Sequence, residues 1–243
     1  MKRVFNISVI VFALCMLAVG WVLMSSHFLL RRIEIFGLST VHEEEIMKRL
    51  PFDRGANLFL LSTGDAENAI KIDRRINAVT VSKSFPNGII IEVVEKSSVY
   101  LLNCGEIWGL TDDGEAIPVL DVRKLPSLPI IDAGSQCCPK PYYKVADSSV
   151  LRAIAYLNKI AIERPEFLDI ISGIYSPAER EFELVLINDG VKIKIKDQPE
   201  ALDRLAVILD NLDKGFGEAL EIDLRFPNQG IVRCLSGETQ DRS

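Results

Sequence analysis

The chain has 243 residues, of which 48% are hydrophobic and 26% are charged, a composition typical of a folded protein rather than a disordered one. Lys2 and Arg3 precede the first apolar run and take two of the 28 basic residues, which leaves 26 basic against 34 acidic residues and a net charge of −8. Such an acidic surface repels phosphate backbones, so nucleic-acid binding is not expected.

The first feature along the chain is an uncharged run from Val4 to Leu30. Its most apolar part, residues 4–24, is long enough to cross a hydrocarbon core of about 30 Å as a helix. The sequence therefore predicts a cytoplasmic tail (residues 1–3) and an uncleaved membrane anchor (residues 4–24), oriented by the two basic residues before it. A cleavable secretory signal is the alternative, because Ala18-Val19-Gly20 has small residues suited to a cleavage site. Both interpretations place the remainder outside the cytoplasm.

Residues 28–97 have the pattern of a β-α-α-β-β domain. Alternating apolar residues indicate three strands, and Pro86-Asn87-Gly88 marks a hairpin between the last two. Ile91 is predicted to lie on the buried face of the final strand. Thr40 and Thr63 are predicted to cap the two helices. The predicted strands are Leu30–Phe36, Ile76–Phe85 and Ile89–Val94.

Residues 98–235 predict a mixed or antiparallel β domain with two helices, followed by a flexible tail (residues 236–243). One helix would cover Ser148–Ile160 with Leu151 facing inward, and Asp197-Gln198-Pro199 would begin the other. The proline-rich stretch between the third strand and the first helix is predicted to be irregular. The fold class is thus α+β. The predicted strands are Tyr100–Leu102, Ile107–Leu110, Ala116–Val119, Gly173–Ser176, Phe182–Ile187, Val191–Ile195, Leu220–Leu224 and Gly230–Leu235.

Four cysteines follow the apolar run: Cys104, Cys137, Cys138 and Cys234. Disulfides can persist outside the cytoplasm, and one member of the vicinal pair could bridge to Cys104 or Cys234. Spacing alone does not decide the pairing, so a disulfide and free thiols both remain open.

Few residues suit catalysis. The chain has two histidines, His27 and His42, for which solvated or capping roles are the simpler explanations. Asp112-Asp113-Gly114 could suggest a cation site, although a tight turn explains the same residues. Glu43-Glu44-Glu45 fits an exposed helix start, and Gly215-Phe216-Gly217 follows a helix rather than a strand. We therefore expect no enzymatic activity, metal, cofactor or small-molecule substrate.

The final strand is the candidate binding element. If it lies at the edge of the sheet, its unpaired backbone groups could accept a strand from another protein. An interior position fits the sequence pattern equally well.

Several segments resemble the FtsQ/DivIB family of bacterial cell-division proteins. IEIFGLSTVHEEEIMKRL is similar to the opening of that family's POTRA domain, and INAVTVSKSFPNGIIIEVVEKSSV is similar to its hairpin, with Lys83 where arginine is usual and Ser97-Ser98 where a proline is common. FELVLINDGVKIKI and ALEIDLRFPNQGIVR resemble the end of the family's β domain. The resemblance covers residues 1–235, apart from the loop at 134–147.

The resemblance implies a septal, single-pass inner-membrane scaffold of the divisome that links early and late division proteins. Its implied partners are FtsB/DivIC-like and FtsL-like proteins, and a basic partner segment would complement the acidic domain. A POTRA-containing envelope transport or assembly subunit is one alternative, and an anchored cell-envelope enzyme with an unrecognised site is another. The implied protein-binding residues are Arg225, Phe226, Gly230, Ile231, Val232 and Arg233.

Overall fold

The computed structural model describes residues 11–17, 20–21, 25–133, 139–187, 190–198, 200–212, 220–227 and 229–234. The chain forms two compact units, residues 1–96 and residues 97–243. The division falls one residue before the boundary predicted from the sequence.

The predicted anchor at residues 4–24 lies largely outside the described residues. Within it, residues 11–17 are helical. Among the residues that the structure describes, no helix combines the length and the apolarity needed to cross a membrane.

The first unit has the predicted order β-α-α-β-β. Its three-stranded sheet has the order β1-β3-β2, with β1 parallel and β2 antiparallel to β3. Ile91 of β3 is fully buried beneath the two helices, together with Ile46 and Ile70, which confirms the predicted inward face of the hairpin. The elements are β1 (Arg32–Phe36), α1 (Glu43–Arg49), α2 (Thr63–Lys71), β2 (Ile76–Ser84) and β3 (Gly88–Glu95).

Both helix caps differ from the prediction. Helix α1 begins after His42, whose backbone N–H donates to Glu45 Oε1 at 3.4 Å. Helix α2 is capped by Ser62, whose hydroxyl accepts from the backbone N–H of Asp65 at 3.2 Å. Thr40 was the wrong choice because its polar groups are already used, by a carboxylate distant in sequence.

That carboxylate belongs to Glu95, the last residue of β3. It accepts backbone N–H bonds from Ser39 at 2.6 Å, Thr40 at 2.9 Å and Val41 at 3.1 Å, and the Thr40 hydroxyl also donates to it. Burial raises the pKa of Glu95, but these hydrogen bonds favour the charged form and together hold its pKa below the ordinary value. The end of β3 thereby fixes the loop that leads into α1.

A second carboxylate, which is buried, lies near the same end of the sheet, just before β2 begins beside Glu95. Asp73 accepts from Arg75 Nε at 3.0 Å and lies 2.8 Å from Arg49 Nη1. The hydrogen bond from the Arg75 guanidinium outweighs burial and lowers the pKa of Asp73 to about 2. Arg75 also binds Glu45, so this cluster joins α1 to the connection between α2 and β2.

The second unit contains a nine-stranded sheet in the order β12-β11-β10-β9-β8-β7-β4-β5-β6. Strand pairs β4/β7, β7/β8 and β10/β11 are parallel and the others are antiparallel, which confirms a mixed sheet. The strands are β4 (Tyr100–Asn103), β5 (Ile107–Leu110), β6 (Ala116–Pro118), β7 (Ile130–Asp132), β8 (Ile171–Ala178), β9 (Glu181–Leu186), β10 (Lys192–Lys196), β11 (Leu220–Asp223) and β12 (Ile231–Cys234).

Strand β7 lies in the stretch that the sequence predicted to be irregular, so that prediction was wrong for residues 130–132. It is three residues long and contains one buried side chain, Ile131, too few for an alternation to be visible. The strand bridges β4 and β8 and so joins the two halves of the sheet.

Two helices, α3 (Ser148–Glu163) and α4 (Ala201–Leu212), contribute apolar residues to the core of this unit. Leu151 is exposed, contrary to the prediction, because the buried stripe of α3 is centred on Val150, Ala153 and Leu157. Asp197 does not begin α4; its carboxylate accepts instead from Lys159 of α3 at 2.6 Å.

Candidate protein-binding site at the sheet edge

The nine-stranded sheet ends in β6 on one side and in β12 on the other. The β6 edge is covered, because Ala116 donates to the Tyr143 carbonyl at 2.9 Å and accepts from the Tyr142 N–H at 2.6 Å. Pro118 of the same strand has no N–H to offer. Strand β12 pairs with β11 alone among the described strands. Of the two alternatives that the sequence left open, the structure shows the edge position.

The side chains of β12 alternate between the two faces of the sheet. Val232 pairs with Ile222 of β11 and packs against the core beneath the sheet. Ile231 and Arg233 are exposed and therefore lie on the opposite, outer face. Gly230 precedes the strand in close contact with α4: an added Cβ would lie 2.7 Å from Ile208 Cδ1. The edge strand β12 therefore exposes both its backbone and one side-chain face, which carries an apolar residue, Ile231, and a charged residue, Arg233.

The outer face beside β12 carries alternating charges because β10 and β11 each place charged residues at every second position. Lys194 Nζ lies 2.8 Å from Glu221 Oε1, and Glu221 pairs in register with Arg233. The Lys194 ammonium holds the pKa of Glu221 below its ordinary value through their hydrogen bond. Because these side chains pair with opposite charges, they do not give the outer face a strong net charge.

Arg225 is part of the same ionic network. Its Nη2 lies 2.6 Å from Asp223 Oδ2, and its Nη1 lies 3.9 Å from Glu181 of β9. The Arg225 guanidinium lowers the pKa of Asp223 by hydrogen bonding. Because its partners lie on this face of the sheet, Arg225 holds the start of the β11–β12 connection in place.

Phe226 lies in that connection, which leads into β12, and is 47% exposed. The backbone of the connection is held by Arg204 of α4, whose Nη1 donates to the carbonyl oxygens of Phe226 at 2.7 Å and Gln229 at 3.3 Å. A longer contact, 3.5 Å, joins Nη2 to the Leu224 carbonyl. One guanidinium therefore ties the whole connection to the helix behind the sheet.

The structure brings the six predicted residues together around one edge, with Phe226, Ile231 and Arg233 exposed and Val232 facing the core. Sequence reasoning missed Arg204 and the charged neighbours of the strand. The charged neighbours had a visible signal, since KIKIK and LEID carry opposite charges at a period of two, the spacing of one sheet face. For Arg204 the sequence has no comparable signal, because its acceptors are backbone carbonyls.

Other polar groups considered for chemistry have structural roles. Asp113 accepts from the Thr111 hydroxyl at 2.6 Å and pairs with Lys144 at 3.0 Å, while Gly114 adopts a φ of +86°, as a tight turn requires. Among the described residues, no group of three or more His, Cys, Asp or Glu side chains could hold a metal ion. Gly215-Phe216-Gly217 and the vicinal pair Cys137-Cys138 lie outside the described residues.

A polar cleft of about 720 Å³ lies between α3 and α4. Four of its charged side chains form two ion pairs: Lys159 binds Asp197 at 2.6 Å and Arg164 binds Asp203. These ion pairs within a polar lining are consistent with a solvated groove between two helices.

Comparison with known proteins first identifies the kind of domain in the first unit. Residues 28–96 match the POTRA domain family of FtsQ type, so the first unit is a POTRA domain. Relatives then extend the similarity over both units. DivIB of Bacillus cereus is 25% identical over 202 residues, which cover 80% of this chain and 73% of the relative. FtsQ of Myxococcus fulvus is 24% identical over 230 residues, 92% of this chain and 79% of the relative.

FtsQ of Geotalea daltonii is a third relative, 26% identical over 215 residues that cover 86% of this chain and 77% of its own. All three proteins are named as cell division proteins. The POTRA match and these alignments, which extend over both units, together support the FtsQ/DivIB family.

Proposed function

We propose that the protein is a divisome scaffold that binds other division proteins through the open β12 edge, and that it is not an enzyme. The observation that carries this proposal is the difference between the two sheet edges. Residues 142–144 occupy the β6 edge, whereas β12 has a described neighbour on one side only. An unpaired strand offers a row of N–H and C=O groups to a strand from a partner.

The proposal also includes a membrane anchor at residues 4–24, with the POTRA domain and the second unit outside the cytoplasm. Support comes from the sequence: the run is uncharged and follows Lys2 and Arg3, as the positive-inside rule requires for a cytoplasmic N-terminus. The division-protein names of the relatives support a position at the septum.

The partner is an FtsB/DivIC-like protein, with an FtsL-like protein in the same assembly. Its binding segment adds an extended strand next to β12, and its side chains contact Ile231 and Arg233 on the outer face. Phe226, exposed in the connection that leads into β12, acts as an aromatic anchor. Burial of such an anchor at the centre of a contact contributes about 2 kcal/mol, or roughly thirtyfold in Kd.

The test is binding of the full chain, in detergent, to the FtsB/DivIC-like protein of the same organism. Phe226→Ala should weaken binding by that factor, because the anchor is lost while the fold is kept. Tyr175→Ala is the matched control, since Tyr175 is 46% exposed on β8, away from the edge. Its affinity should equal that of the unmodified chain.

A pair of prolines tests the strand itself. In an antiparallel ladder alternate residues direct their N–H groups towards the neighbouring strand and away from it. One of Val232→Pro and Arg233→Pro therefore removes an outward donor and leaves the pairing with β11 intact. That variant should melt normally and lose binding, while the other is destabilised. Normal affinity in the stable proline variant, together with normal affinity in Phe226→Ala, would place the docking site elsewhere.

A further inference from the structure

Three aromatic rings form an exposed cluster at one end of the first unit. The ring centroids of Phe28 and Phe59 are 4.8 Å apart, and those of Phe59 and Phe85 are 5.2 Å apart. Phe59 is 39% exposed, Phe85 54%, and the adjacent Leu60 85%. The three rings pack on one another and leave an apolar surface in solvent, so this arrangement does not contribute to the core described above.

The cluster is held on a rigid base made of three segments. Leu30 donates to the Ala56 carbonyl and Leu58 donates to the Phe28 carbonyl, both at 2.8 Å, which joins the segment before β1 to the loop before α2. Arg31 donates to the Asn87 carbonyl at 2.8 Å and joins the same segment to the hairpin turn. The rings therefore project from a fixed platform at the end of the sheet where β1 and β3 begin.

The charge around the cluster is opposite to that of the chain as a whole. Residues 28–32, 53–60 and 83–87, which build the platform, contain one acidic residue, Asp53, among four cationic ones. Arg31 and Arg54 are exposed, and Lys83 Nζ donates to the Phe59 carbonyl at 3.4 Å. The cationic residues are Arg31, Arg32, Arg54 and Lys83.

The position of the cluster in the sequence restricts what can cover it. Phe28 follows the end of the proposed anchor at Met24 by four residues, which span at most about 14 Å of extended chain. A surface that starts this close to a membrane helix lies at the level of lipid headgroups. Aromatic rings combined with Arg and Lys are the side chains favoured at that interface.

We propose that this cluster is a second membrane contact, in which Phe59, Leu60 and Phe85 insert among the headgroups of the outer leaflet and the surrounding cations bind anionic lipid phosphates. The POTRA domain then lies against the bilayer with a fixed orientation. This inference rests on the anchor proposed above and goes beyond it, because an anchor alone leaves the domain free to rotate on its tether.

The test uses the full chain in liposomes of phosphatidylglycerol and brominated phosphatidylcholine, whose bromines quench nearby indoles. Trp21 and Trp108 are the two tryptophans of the chain. Trp108→Phe leaves Trp21 to report on the anchor. Phe59→Trp in a Trp21→Phe, Trp108→Phe background reports on the cluster, and Phe85→Trp in the same background repeats the measurement should one variant fold poorly. Phe36→Trp is the matched control, since Phe36 is 54% exposed at the opposite end of β1.

We expect bromolipid to reduce the emission of Trp21, of Phe59→Trp and of Phe85→Trp, and to leave the emission of Phe36→Trp unchanged. Quenching of Trp21 without quenching of either cluster variant would overturn the inference and leave the anchor standing. Protection from acrylamide without bromolipid quenching would mean that protein, such as a second copy of this chain, covers the cluster, and would also overturn it. An unquenched Trp21 would refute the anchor, and the inference with it.

Discussion

The guanidinium of Arg204 donates to the carbonyl oxygen of Phe226 at 2.7 Å, so helix α4 holds the backbone of the connection that leads into the edge strand β12. Arg204→Met replaces the aliphatic stem of the side chain but leaves three carbonyls without this donor. We expect a loss of about 1–2 kcal/mol in stability, faster amide exchange over residues 225–231, and weaker partner binding. Hydrogen exchange read by mass spectrometry measures the local effect.

Arg152→Met is the control for that variant. Arg152 lies on α3 and donates to the Ser176 hydroxyl at 3.1 Å, away from the edge. A similar loss of stability without faster exchange at residues 225–231 is expected from it. Equal exchange over that segment in both variants would show that Arg204 does not hold the connection.

The buried face of the POTRA hairpin gives a second prediction. Ile91→Asp places an unpaired carboxylate in the core of the first unit and should unfold that unit, at a cost of several kcal/mol. Val94→Asp is the control, because Val94 is an exposed residue of the same strand. Urea melts followed by circular dichroism compare the two. Equal midpoints would contradict the packing described for β3.

Asp73 makes the first unit sensitive to acid. Hydrogen bonding from Arg75 lowers the pKa of Asp73 to about 2, from an ordinary value of 3.8. The ionised form is therefore favoured in the folded state, and its stabilisation is present in full above pH 3.8 and lost as the pH falls towards 2. The shift corresponds to about 2 kcal/mol.

The measurement is the free energy of unfolding between pH 7 and pH 2. Asp73→Asn should lower stability at pH 7 and reduce the dependence on pH in the acid range. Asp53→Asn, an exposed residue of the same unit, should keep the slope of the unmodified chain. A steep acid dependence that persists in Asp73→Asn would assign the effect to other carboxylates.

Gly37 and Gly55 form a natural pair for testing backbone strain. Both have positive φ, +83° and +92°, which disfavours any side chain. At Gly37 an added Cβ would also lie 2.0 Å from the Val93 carbonyl oxygen, whereas nothing lies within 4 Å at Gly55. Gly55→Ala should cost about 1 kcal/mol and Gly37→Ala more than about 2 kcal/mol in thermal unfolding. Equal costs would mean that β1 and β3 can separate without penalty.

The sequence predicted the strands of the POTRA domain closely because local alternation is sufficient when one face of a sheet is buried. Ile89, Ile91 and Val93 repeat every second residue, and the strand follows that repeat. The order of strands in the second unit could not be predicted from local alternation. Nothing local to Ile131 indicates that it pairs with both β4 and β8, since those partners are distant along the chain.

The wrong prediction of the helix caps also results from a contact between residues that are distant in sequence. Thr40 has the residue type of a helix cap, but Glu95 binds it from 55 positions away, and the cap moves to His42. The candidate site was predicted in part, since the residues of β12 came from a family resemblance. The role of Arg204 could not be predicted, because this side chain binds backbone carbonyls. No pattern of side chains in the sequence specifies the path of the connection that carries those carbonyls.

The closed β6 edge has a consequence for self-association. A sheet that continues from one copy to the next into a fibre needs two open edges on each molecule, because each copy must pair with a neighbour on both sides. With Ala116 already bonded to residues 142 and 143, the described sheet has one such edge. Copies that met through β12 would therefore stop at a symmetric pair, and occupation of that strand by a partner would remove even this route to aggregation.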